Sequence, residues 1–470
     1  MIAGLKPYPQ YQHTGHDWLG SLPSHWELQR AKRLFREVDE RSRTGKEELL
    51  SVSHLTGVTP RRLKNVTMFM AESNVGHKIC RPGDLVINTL WAWMAALGVA
   101  RHTGIVSPAY GVYRPAEGAG ILPAYADHLL RTSMYAAEYQ RRSTGVNSSR
   151  LRLYPEQFLR IPVMVPPLDE QVAIVRFLDW ANGRLERAIR AKRKVIALLM
   201  EQKQGIVRHA ITHGLDSTVA LKPSGFPWIE PIPKHWEVLA LKRVLKRLID
   251  CEHKTAPLVD ESPYRVVRTT AVRQGGLQSR GTYCTSAAAF RAWTRRGQPE
   301  AGDVIFTREA PAGEACIVPE GTSVCLGQRT VLMKPNKQRL NSQLLVHLIY
   351  GGPPRVSITL ATQGSTVGHF NMSDIGALMI LLPPRAEQDE IVSAIEERTS
   401  GLDQTIARLE REIELLREYR TRLVADVVTG KLDVREAAAS LPGDAHAGMD
   451  TVSTDEADDS ELIDEEATEA

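Results

Sequence analysis

Apolar residues near the C-terminal end of the chain recur at alternating steps of four and three positions. The members of this series are Leu402, Ile406, Leu409, Ile413, Leu416, Leu423 and Val427, with Arg420 between the last two leucines. Such alternation keeps one stripe of a helix apolar and is the a/d pattern of a coiled coil. The series therefore predicts a long helix whose apolar stripe packs against another helix.

The same series occurs a second time, 217 residues earlier in the chain. Its apolar members are Leu185, Ile189, Ile196, Leu199 and Ile206, and Lys192 and Lys203 fill two further positions in register. Each helix is predicted to begin just after a Pro-Pro pair, at 166–167 and 383–384, because proline does not continue a helix upstream. Gly214 and Gly430 are natural stops. A helix over residues 169–209 would be ~60 Å long.

The two predicted helices are expected to pair with each other in an antiparallel manner. Intramolecular pairing is favoured because the segment between the helices tethers them at a high effective concentration. An antiparallel pair would place the two globular parts of the chain at opposite ends of a rod. Two alternatives stay open: each helix packs back on its own domain, or the helices of two chains form a parallel zipper.

Short sequence boxes outside the helices are also duplicated, in the same order. The matching pairs are WLGSLPSHWE at 18–27 with WIEPIPKHWE at 228–237, RPGDLVINT at 81–89 with EAGDVIFTR at 300–308, and VPPLDEQ at 165–171 with LPPRAEQ at 382–388. The offsets between partners lie near one value throughout. Ordered matches at a nearly constant offset indicate an internal duplication of the chain.

The segments between the boxes and the helices read as short β-rich runs punctuated by Gly and Pro. We predict an α+β protein with two α/β domains joined by two long antiparallel coiled-coil helices in a pseudo-two-fold arrangement. The predicted parts are an N-terminal segment 1–27, a first domain 28–168, a central helix and linker 169–222, a second domain 223–385, a distal helix 386–434 and an acidic tail 435–470. The tail is expected to be disordered because it is highly charged and poor in apolar residues.

Charge along the chain is strongly uneven. Residues 441–470 hold eleven of the 55 acidic residues and no Lys or Arg, which leaves a charge of about +15 on residues 1–440. A basic body favours a polyanionic partner, because neutralised phosphates release counterions. The five cysteines include no C-x-x-C pair, which favours a reducing cytoplasm over a disulfide framework or a zinc site. Neither a signal peptide nor a membrane-spanning apolar run is apparent.

No catalytic motif is apparent in the sequence. It contains no G-x-x-x-x-G-K-[ST] and no G-x-G-x-x-G after a strand, so it shows no clear nucleotide cradle. The Pro-Pro pairs lack the flanking polar and aromatic residues of an amino-methyltransferase motif. Two matches to a nuclease-type Glu-x-Lys, at 201–203 and 252–254, lack a preceding Pro-Asp strand. We predict no catalytic residues and no metal site.

The ordered double set of boxes resembles the specificity subunit of type I restriction–modification enzymes. The Leu-Pro-Ser-His-Trp-Glu and Ile-Pro-Lys-His-Trp-Glu segments are similar to those that open each target-recognition domain of that family. The Gly-Asp boxes are similar to its mid-domain strand, and the Pro-Pro…Glu-Gln boxes to the entry of its helices. The resemblance covers about residues 15–435 and leaves out only the acidic tail.

The resemblance implies a function without chemistry in this chain. Each target-recognition domain would read one half of a bipartite, asymmetric site in double-stranded DNA, and the paired helices would fix the unread spacer. Two methylase subunits would bring S-adenosylmethionine, and restriction/translocase subunits would bring ATP and Mg²⁺. The present chain would need no cofactor of its own.

Candidate DNA-binding residues are the basic and polar side chains that suit phosphate and base-edge contacts in the β-rich parts. In the first domain they are Arg61, Arg62, Lys64, Asn65, Ser143, Asn147 and Arg150. In the second domain they are Arg268, Arg273, Gln274, Arg295, Arg296, Arg329, Gln363, Ser365, Thr366 and His369. Polar loops around residues 143–150 and 362–366 occupy related positions of the two repeats, which favours a shared role.

Two other functions are compatible with parts of the pattern. A coiled-coil DNA-binding scaffold of another DNA-processing complex would keep the helices but show no sequence-selective binding. The missing motifs oppose a self-contained restriction–modification enzyme. The length opposes it too, because two DNA-recognition domains and two long helices leave no room for a methylase domain.

Overall fold

The computed structural model describes residues 5–64, 73–145, 151–362 and 370–442. The chain divides into two compact units. Unit 1 comprises Met1–Lys192 and Arg411–Ala470, and unit 2 comprises Arg193–Glu410. Each unit therefore combines one copy of the sequence repeat with a segment of each long helix. Within the described ranges, no helix combines the length and the apolar character needed to cross a membrane.

The globular part of unit 1 is built mainly from short antiparallel strands. They are β1 (Tyr11–His13), β2 (Ser21–Pro23), β3 (Glu27–Arg30), β4 (Phe35–Glu37), β5 (Leu50–Ser53), β6 (Gly57–Pro60), β7 (Lys78–Cys80), β8 (Leu85–Ile87), β9 (Leu97–Val99), β10 (Gly104–Val106), β11 (Gly111–Pro115) and β12 (Pro162–Val165). The largest sheet has the order β4-β11-β8-β9. A separate ladder pairs β3 with β12, so that Arg30 lies opposite Pro162.

Helices complete the first domain and close its core. They are α1 (Ala31–Leu34), α2 (Pro123–Leu130), α3 (Ser133–Arg142), α4 (Pro155–Phe158) and the start of the long helix α5 (Leu168–His213), with 3-10 turns at Arg61–Leu63 and Ala92–Met94. Phe177 and Leu178 of α5 are buried in the same core as Trp26 and Tyr125. The first turns of α5 are thus part of the domain, which fixes the direction in which the helix leaves it.

Unit 2 repeats this construction with different loop lengths. Its strands are β13 (Leu221–Lys222), β14 (Ile232–Pro233), β15 (Glu237–Ala240), β16 (Leu245–Asp250), β17 (Tyr264–Val267), β18 (Val272–Arg273), β19 (Gly276–Leu277), β20 (Thr282–Cys284), β21 (Val304–Thr307), β22 (Ala315–Ile317), β23 (Ser323–Leu326), β24 (Thr330–Pro335) and β25 (Met379–Leu382). Its helices are α6 (Ala287–Trp293), α7 (Ser342–Gly351), α8 (Pro353–Thr362), α9 (Met372–Ala377) and the second long helix α10 (Arg385–Val428), with 3-10 turns at Leu241–Arg243 and Thr269–Ala271.

The two domains share a frame that follows the duplicated boxes. The sheet order β16-β24-β21-β22 in unit 2 matches β4-β11-β8-β9 in unit 1, and β15 pairs with β25 as β3 pairs with β12. In each Gly-Asp box the aspartate accepts a backbone N–H three residues upstream and pairs with a cation on the neighbouring strand. Arg114 lies 2.8 Å from Asp84, and Lys334 lies 3.0 Å from Asp303.

Both long helices begin directly after the Pro-Pro pairs. The first ends directly before Gly214 and the second two residues before Gly430, and both glycines have a φ of 74°. In unit 1, Lys192 pairs with Glu412, while in unit 2 Lys203 lies 2.5 Å from Asp403. Higher numbers on α5 therefore meet lower numbers on α10, which is antiparallel pairing. The predicted α+β fold with two domains and two long antiparallel helices is confirmed. The pseudo-two-fold relation stays a prediction.

The predicted seam positions are all shielded from solvent to some degree. Those buried are Ile189, Ile413, Leu423 and Val427, and those half-buried are Leu185, Ile196, Leu199, Ile206, Leu402, Ile406, Leu409 and Leu416. The two lysines that interrupt the seam bind carboxylates of the opposite helix, so the polar interruptions are paired across it.

One boundary of the predicted disorder is wrong. The tail was expected to lack structure from residue 435, but a short helix, α11 (Arg435–Ala439), follows the second long helix. Val434 and Ala438 are buried in the core of unit 1, and Arg176 of α5 donates to the carbonyl oxygen of Leu441 at 2.8 Å. Val434 and Ala438 lie four residues apart and therefore face the core from the same side of this turn. Residues 443–470, which hold the acidic residues, lie outside the described residues.

Candidate nucleic-acid interface

In unit 2, several loops meet at one edge of the domain. Strands β17 and β23 run parallel, so that Val267 and Leu326 end side by side, and Gly327 donates to the Val267 carbonyl at 2.9 Å. The backbone N–H of Arg308, which follows β21, donates to the carbonyl of Arg329 at 2.8 Å. The loops after β17, β21 and β23 therefore form one continuous surface, here called the loop edge of unit 2.

The loop edge carries three of the predicted DNA-binding residues as exposed side chains. Arg268 is exposed and lies over the ring of Tyr283. Gln274 and Arg329 are exposed and adopt positive φ angles of 47° and 66°. Gln274 follows β18 but reaches the loop edge, because its backbone N–H donates to Glu314 in the loop after β21. Arg329 also lies 3.3 Å from Glu309. These side chains present the planar donors that phosphate and base-edge recognition require.

Two of the other predicted basic residues of unit 2, Arg273 and Arg296, are bound to backbone carbonyls. Arg273 turns back to the carbonyl oxygens of Thr269 and Val272. Arg296 donates to the carbonyl of Cys251 at 3.3 Å, which attaches its segment to the end of β16, while Arg295 is exposed. Gln363, Ser365, Thr366 and His369 lie outside the described residues.

An ion pair between the buried Arg308 and the half-buried Asp250 supports the loop edge, and sequence reasoning missed it. One nitrogen of Arg308 lies 2.9 Å from both oxygens of Asp250, and its Nε donates to the carbonyl of Phe370. Partial burial raises the pKa of Asp250, but hydrogen bonds from His253 and Arg308 outweigh it and hold that pKa below its usual value. No local sequence pattern links residues 250, 308 and 370. The one signal for Arg308 is its alignment with Thr89 at the end of the duplicated Gly-Asp box.

The end of β16 is also where a metal ion would find ligands. Asp250, Cys251 and His253 are the one such group found in the residues that the structure describes. The Asp250 carboxylate already binds the Arg308 guanidinium, whose positive charge opposes a second cation at the same oxygens. The group is therefore better suited to hold Arg308 than to hold a metal.

In unit 1 the predicted residues occupy the turn after β6 and the end of α3. Arg61, Arg62 and Lys64 follow β6 on a 3-10 turn, and Arg62 is exposed with its Nε 2.7 Å from Glu48. Ser143 donates from Oγ to the Tyr139 carbonyl and so closes the last turn of α3. Asn65, Asn147 and Arg150 lie outside the described residues.

Equivalent backbone contacts hold the residues that follow the polar loops in the sequence of both units. In unit 1, Leu153 donates to the Thr89 carbonyl at 2.9 Å, and in unit 2 Phe370 donates to the Arg308 carbonyl at 3.2 Å. The same frame thus presents Thr89 in one domain and Arg308 in the other. Beside Thr89, Trp91 and Trp93 are stacked with ring centroids 5.9 Å apart. The side chains at these equivalent positions therefore differ between the two domains, although the backbone that presents them is the same.

A carboxylate clamp joins each domain to its long helix. Glu170, one turn into α5, accepts from the indole nitrogen of Trp26 at 2.9 Å and contacts His25 at 2.8 Å. Glu387 in α10 repeats both contacts with Trp236 and His235, at 3.0 and 2.8 Å. The duplicated His-Trp and Glu-Gln boxes are therefore the two sides of one contact.

The glutamine that follows each clamp holds the helix start to the domain. The amide nitrogen of Gln171 donates to the carbonyls of Gly120 and Pro166, and its oxygen accepts from Leu122. Gln388 makes the same three kinds of contact, to residues 339, 383 and 341. Both side chains are fully buried. Their satisfied hydrogen bonds explain why a polar residue occupies this position twice.

Comparisons with known proteins agree with these features. Residues 297–415 match the family model described as type I restriction modification DNA specificity domain. The chain is 22% identical, over 75% of its length and 75% of the relative's, to the type I restriction enzyme EcoKI specificity subunit of Escherichia coli (strain K12). It is 28% identical to the Escherichia coli EcoBI specificity subunit, over 23% of this chain and 22% of that one.

A solved structure shows the same fold. It belongs to work on complex assembly and conformational transition of the type I R-M system, and the match covers 87% of this chain and 99% of that one, with a TM-score of 0.58 and 15% identity. The duplicated frame, the paired helices and the sequence matches lead to one conclusion. Residues 297–415 belong to the type I restriction modification DNA specificity domain family, and the chain as a whole is similar to type I restriction enzyme specificity subunits.

Proposed function

We propose that this chain reads a bipartite, asymmetric site in double-stranded DNA, one half with each globular domain. The proposal rests on a contrast between the two domains: their strands form the same frame, but the side chains at the loops of that frame differ. A duplicated frame presents two readers in the same way, whereas unlike edge residues recognise unlike bases. The proposal therefore includes two different half-sites separated by an unread spacer.

The chemistry of the unit 2 loop edge supports base and backbone recognition. Arg268 and Arg329 are exposed, and the Arg308–Asp250 pair holds the loops beneath them. Arginine binds guanine edges in the major groove through two parallel hydrogen bonds, a geometry that needs a rigid support. Unit 1 offers Arg61 and Arg62 on its own turn, and these are proposed to contact its half-site.

The long helices are proposed to set the spacer between the half-sites. Ion pairs across the helices, such as Lys192–Glu412 and Lys203–Asp403, fix the register in which α5 and α10 pair. A rod of fixed length holds two readers at one helical phase of DNA, because the rise of an α-helix per residue is constant.

The chain is proposed to dock two methylase subunits and restriction/translocase subunits, and to carry no catalytic step itself. S-adenosylmethionine would be bound by the methylase subunits, and ATP with Mg²⁺ by the restriction subunits. In this assembly the present chain would select the DNA site at which the partner subunits act.

The test is co-expression with a neighbouring candidate methylase, followed by methylation of random-sequence DNA by the purified complex. We expect one split motif with unlike halves. Arg329→Ala should relax the motif in one half only, with about 1–3 kcal/mol less discrimination there. Arg243→Ala is the matched control, because this exposed arginine lies at the other end of β16 from Asp250.

Three outcomes would contradict the proposal. A palindromic motif with identical halves would show that the two domains do not read different bases. An Arg329→Ala motif that changes in both halves would separate the loop edge from half-site recognition. A methylase that marks the same sites without this chain would leave only the scaffold function.

A further inference from the structure

Unit 1 contains a cavity of about 820 Å³ with a strongly basic lining, which contains none of the predicted DNA-binding residues. The charged residues of its lining are Arg30, Lys32, Arg142, Arg160 and Glu156. Four positive side chains thus face a single carboxylate. Neither the clamp nor the shared frame uses any of these side chains.

The β3–β12 ladder brings three of these cations together. Arg30 lies opposite Pro162 in the ladder, and the contact continues beyond it, because Ala31 donates to the Ile161 carbonyl at 2.8 Å and Lys32 to the Leu159 carbonyl at 2.9 Å. Residues 30 and 32 therefore lie beside residue 160. This proximity is fixed by backbone hydrogen bonds, so it persists whatever the side chains bind.

The positive charges of this cavity are largely uncompensated. Arg30, Lys32 and Arg160 are exposed, and within the described ranges none of them forms an ion pair. Arg142 differs, because its Nε lies 2.5 Å from Glu138, a carboxylate that Arg141 shares. Three free cations and one anchored guanidinium attract an anion of more than one charge.

The cavity borders the stem of the polar loop of unit 1. Arg142 directly precedes Ser143, and Thr144 forms an isolated bridge with Arg152. The chain then runs through α4 to Arg160 on the cavity wall. A polyanion that contacts Ser143 or Thr144 can therefore continue into the cavity along the surface of the domain.

The second domain has the same backbone here but not the same charges. Its ladder places Ala240 opposite Met379, and Leu241 donates to the Leu378 carbonyl at 2.8 Å, as Ala31 does to Ile161. The counterparts of Arg30 and Arg160 are Ala240 and Ala377. The last turn of α8, which corresponds to α3, contains no basic residue. Lys32 keeps a basic counterpart, Lys242, so the second domain lacks the cations at the positions of Arg30, Arg142 and Arg160.

We propose that this cavity binds the phosphodiester backbone of DNA on the side of the first half-site, without reading bases. Guanidinium and ammonium groups that project from a fixed ladder suit phosphate oxygens, and such contacts position a protein on DNA without sequence information. The proposal rests on the proposed function, because it assigns an additional contact to the same DNA. The first half-site would then have more basic contacts to its phosphates than the second.

The test uses the full-length chain in its complex with the methylase and the double variant Arg30→Ala/Arg160→Ala. These substitutions install the residues that the second domain has at the same ladder positions, and both side chains are exposed, so the fold is expected to persist. The matched control is Lys242→Ala/Arg243→Ala, which removes two exposed charges from the second domain. Binding to specific and unrelated duplexes is measured by fluorescence anisotropy from 50 to 200 mM salt.

We expect the slope of log K against log salt to become shallower by about 2 in the double variant, because each lost phosphate contact removes roughly 0.9 from it. Specific and unrelated DNA should weaken by the same factor, and phosphate-ethylation interference should disappear only on the side of the first half-site. An unchanged slope, or a loss confined to the specific sequence, would overturn the proposal. A parent complex that shows no sequence preference would instead contradict the proposed function, while the slope would still report on the cavity.

A further variant distinguishes DNA from the acidic tail as the occupant. In this full-length chain, the eleven acidic residues of 441–470 are replaced by their amides. If the cavity binds DNA, the arginine substitutions should reduce the salt slope as much in this background as in the parent. If they have no effect on the slope there, the cavity holds the tail and the proposal is wrong.

Discussion

The carboxylate clamps offer a sharp test of how the domains are attached to the helices. Glu170 is 3% exposed and Glu387 is 23% exposed, although the two residues are repeat-related. Glu170 also accepts from the Tyr8 hydroxyl, and among the described residues of unit 2 Glu387 has no such third contact. Burial, and then the bond to Glu170, raise the pKa of Tyr8, which keeps the phenol protonated as a donor. Replacing each glutamate by alanine compares one clamp with three contacts against one with two.

The expected magnitudes follow from the donors that each substitution would leave without an acceptor. Glu170→Ala strands the buried indole of Trp26 and the hydroxyl of Tyr8, and an unsatisfied buried donor costs about 1–3 kcal/mol. Because two donors are stranded, we expect unit 1 to lose about 2–6 kcal/mol. Glu387→Ala strands one buried indole, while His235 is 43% exposed and can bind water, so unit 2 should lose about 1–3 kcal/mol.

The assay must report on each unit separately. Hydrogen–deuterium exchange of peptides from β3 and β12, and from β15 and β25, gives the opening free energy of the two ladders. Glu170→Gln is the control, because its amide oxygen still accepts from the indole, and it should recover part of the loss. Equal losses in the two units, or a loss below about 1 kcal/mol for Glu170→Ala, would refute the hydrogen-bond argument.

Three further predictions concern stability. Gly430 has a φ of +74°, and an added Cβ would lie 2.5 Å from Pro23. Gly430→Ala should therefore lower the free energy of unfolding by about 2–4 kcal/mol in chemical denaturation, and Gly214→Ala, where there is more room, by about 1–2 kcal/mol. A larger loss for Gly214→Ala than for Gly430→Ala would contradict this argument. Because hydrogen bonding lowers the pKa of Asp250, its ionised form stabilises unit 2 fully above about pH 4, and this contribution is lost as the pH falls through the lower folded pKa. Asp250→Asn should therefore flatten the acid limb of the stability curve, whereas an unchanged limb would assign acid unfolding to other groups. Gln388→Ala should cost about 2–4 kcal/mol because three backbone contacts lose their partner, while a cost under 1 would show that water replaces the amide.

The candidate interface could be predicted only in part from the sequence. Residue type and loop position singled out Arg268 and Arg329, which the fold brings to one edge of unit 2. The same reasoning selected Arg273, whose guanidinium turns back to its own backbone. It also missed Arg308, because the ion pair with Asp250 joins residues 58 positions apart and leaves no local pattern. Exposure and pairing are properties of packing, and composition does not encode them.

The sequence by itself determined the duplication, the two long helices and their seam. These features depend on local periodicity, on prolines that exclude a preceding helix and on ordered repeats, all of which are visible without contacts. Tertiary structure decided that the His-Trp and Glu-Gln boxes clamp each other, and that Arg30 and Arg160 share a basic cavity where the second domain has alanines. Those facts depend on which distant segments the chain brings into hydrogen-bonding distance, and only the folded backbone fixes them.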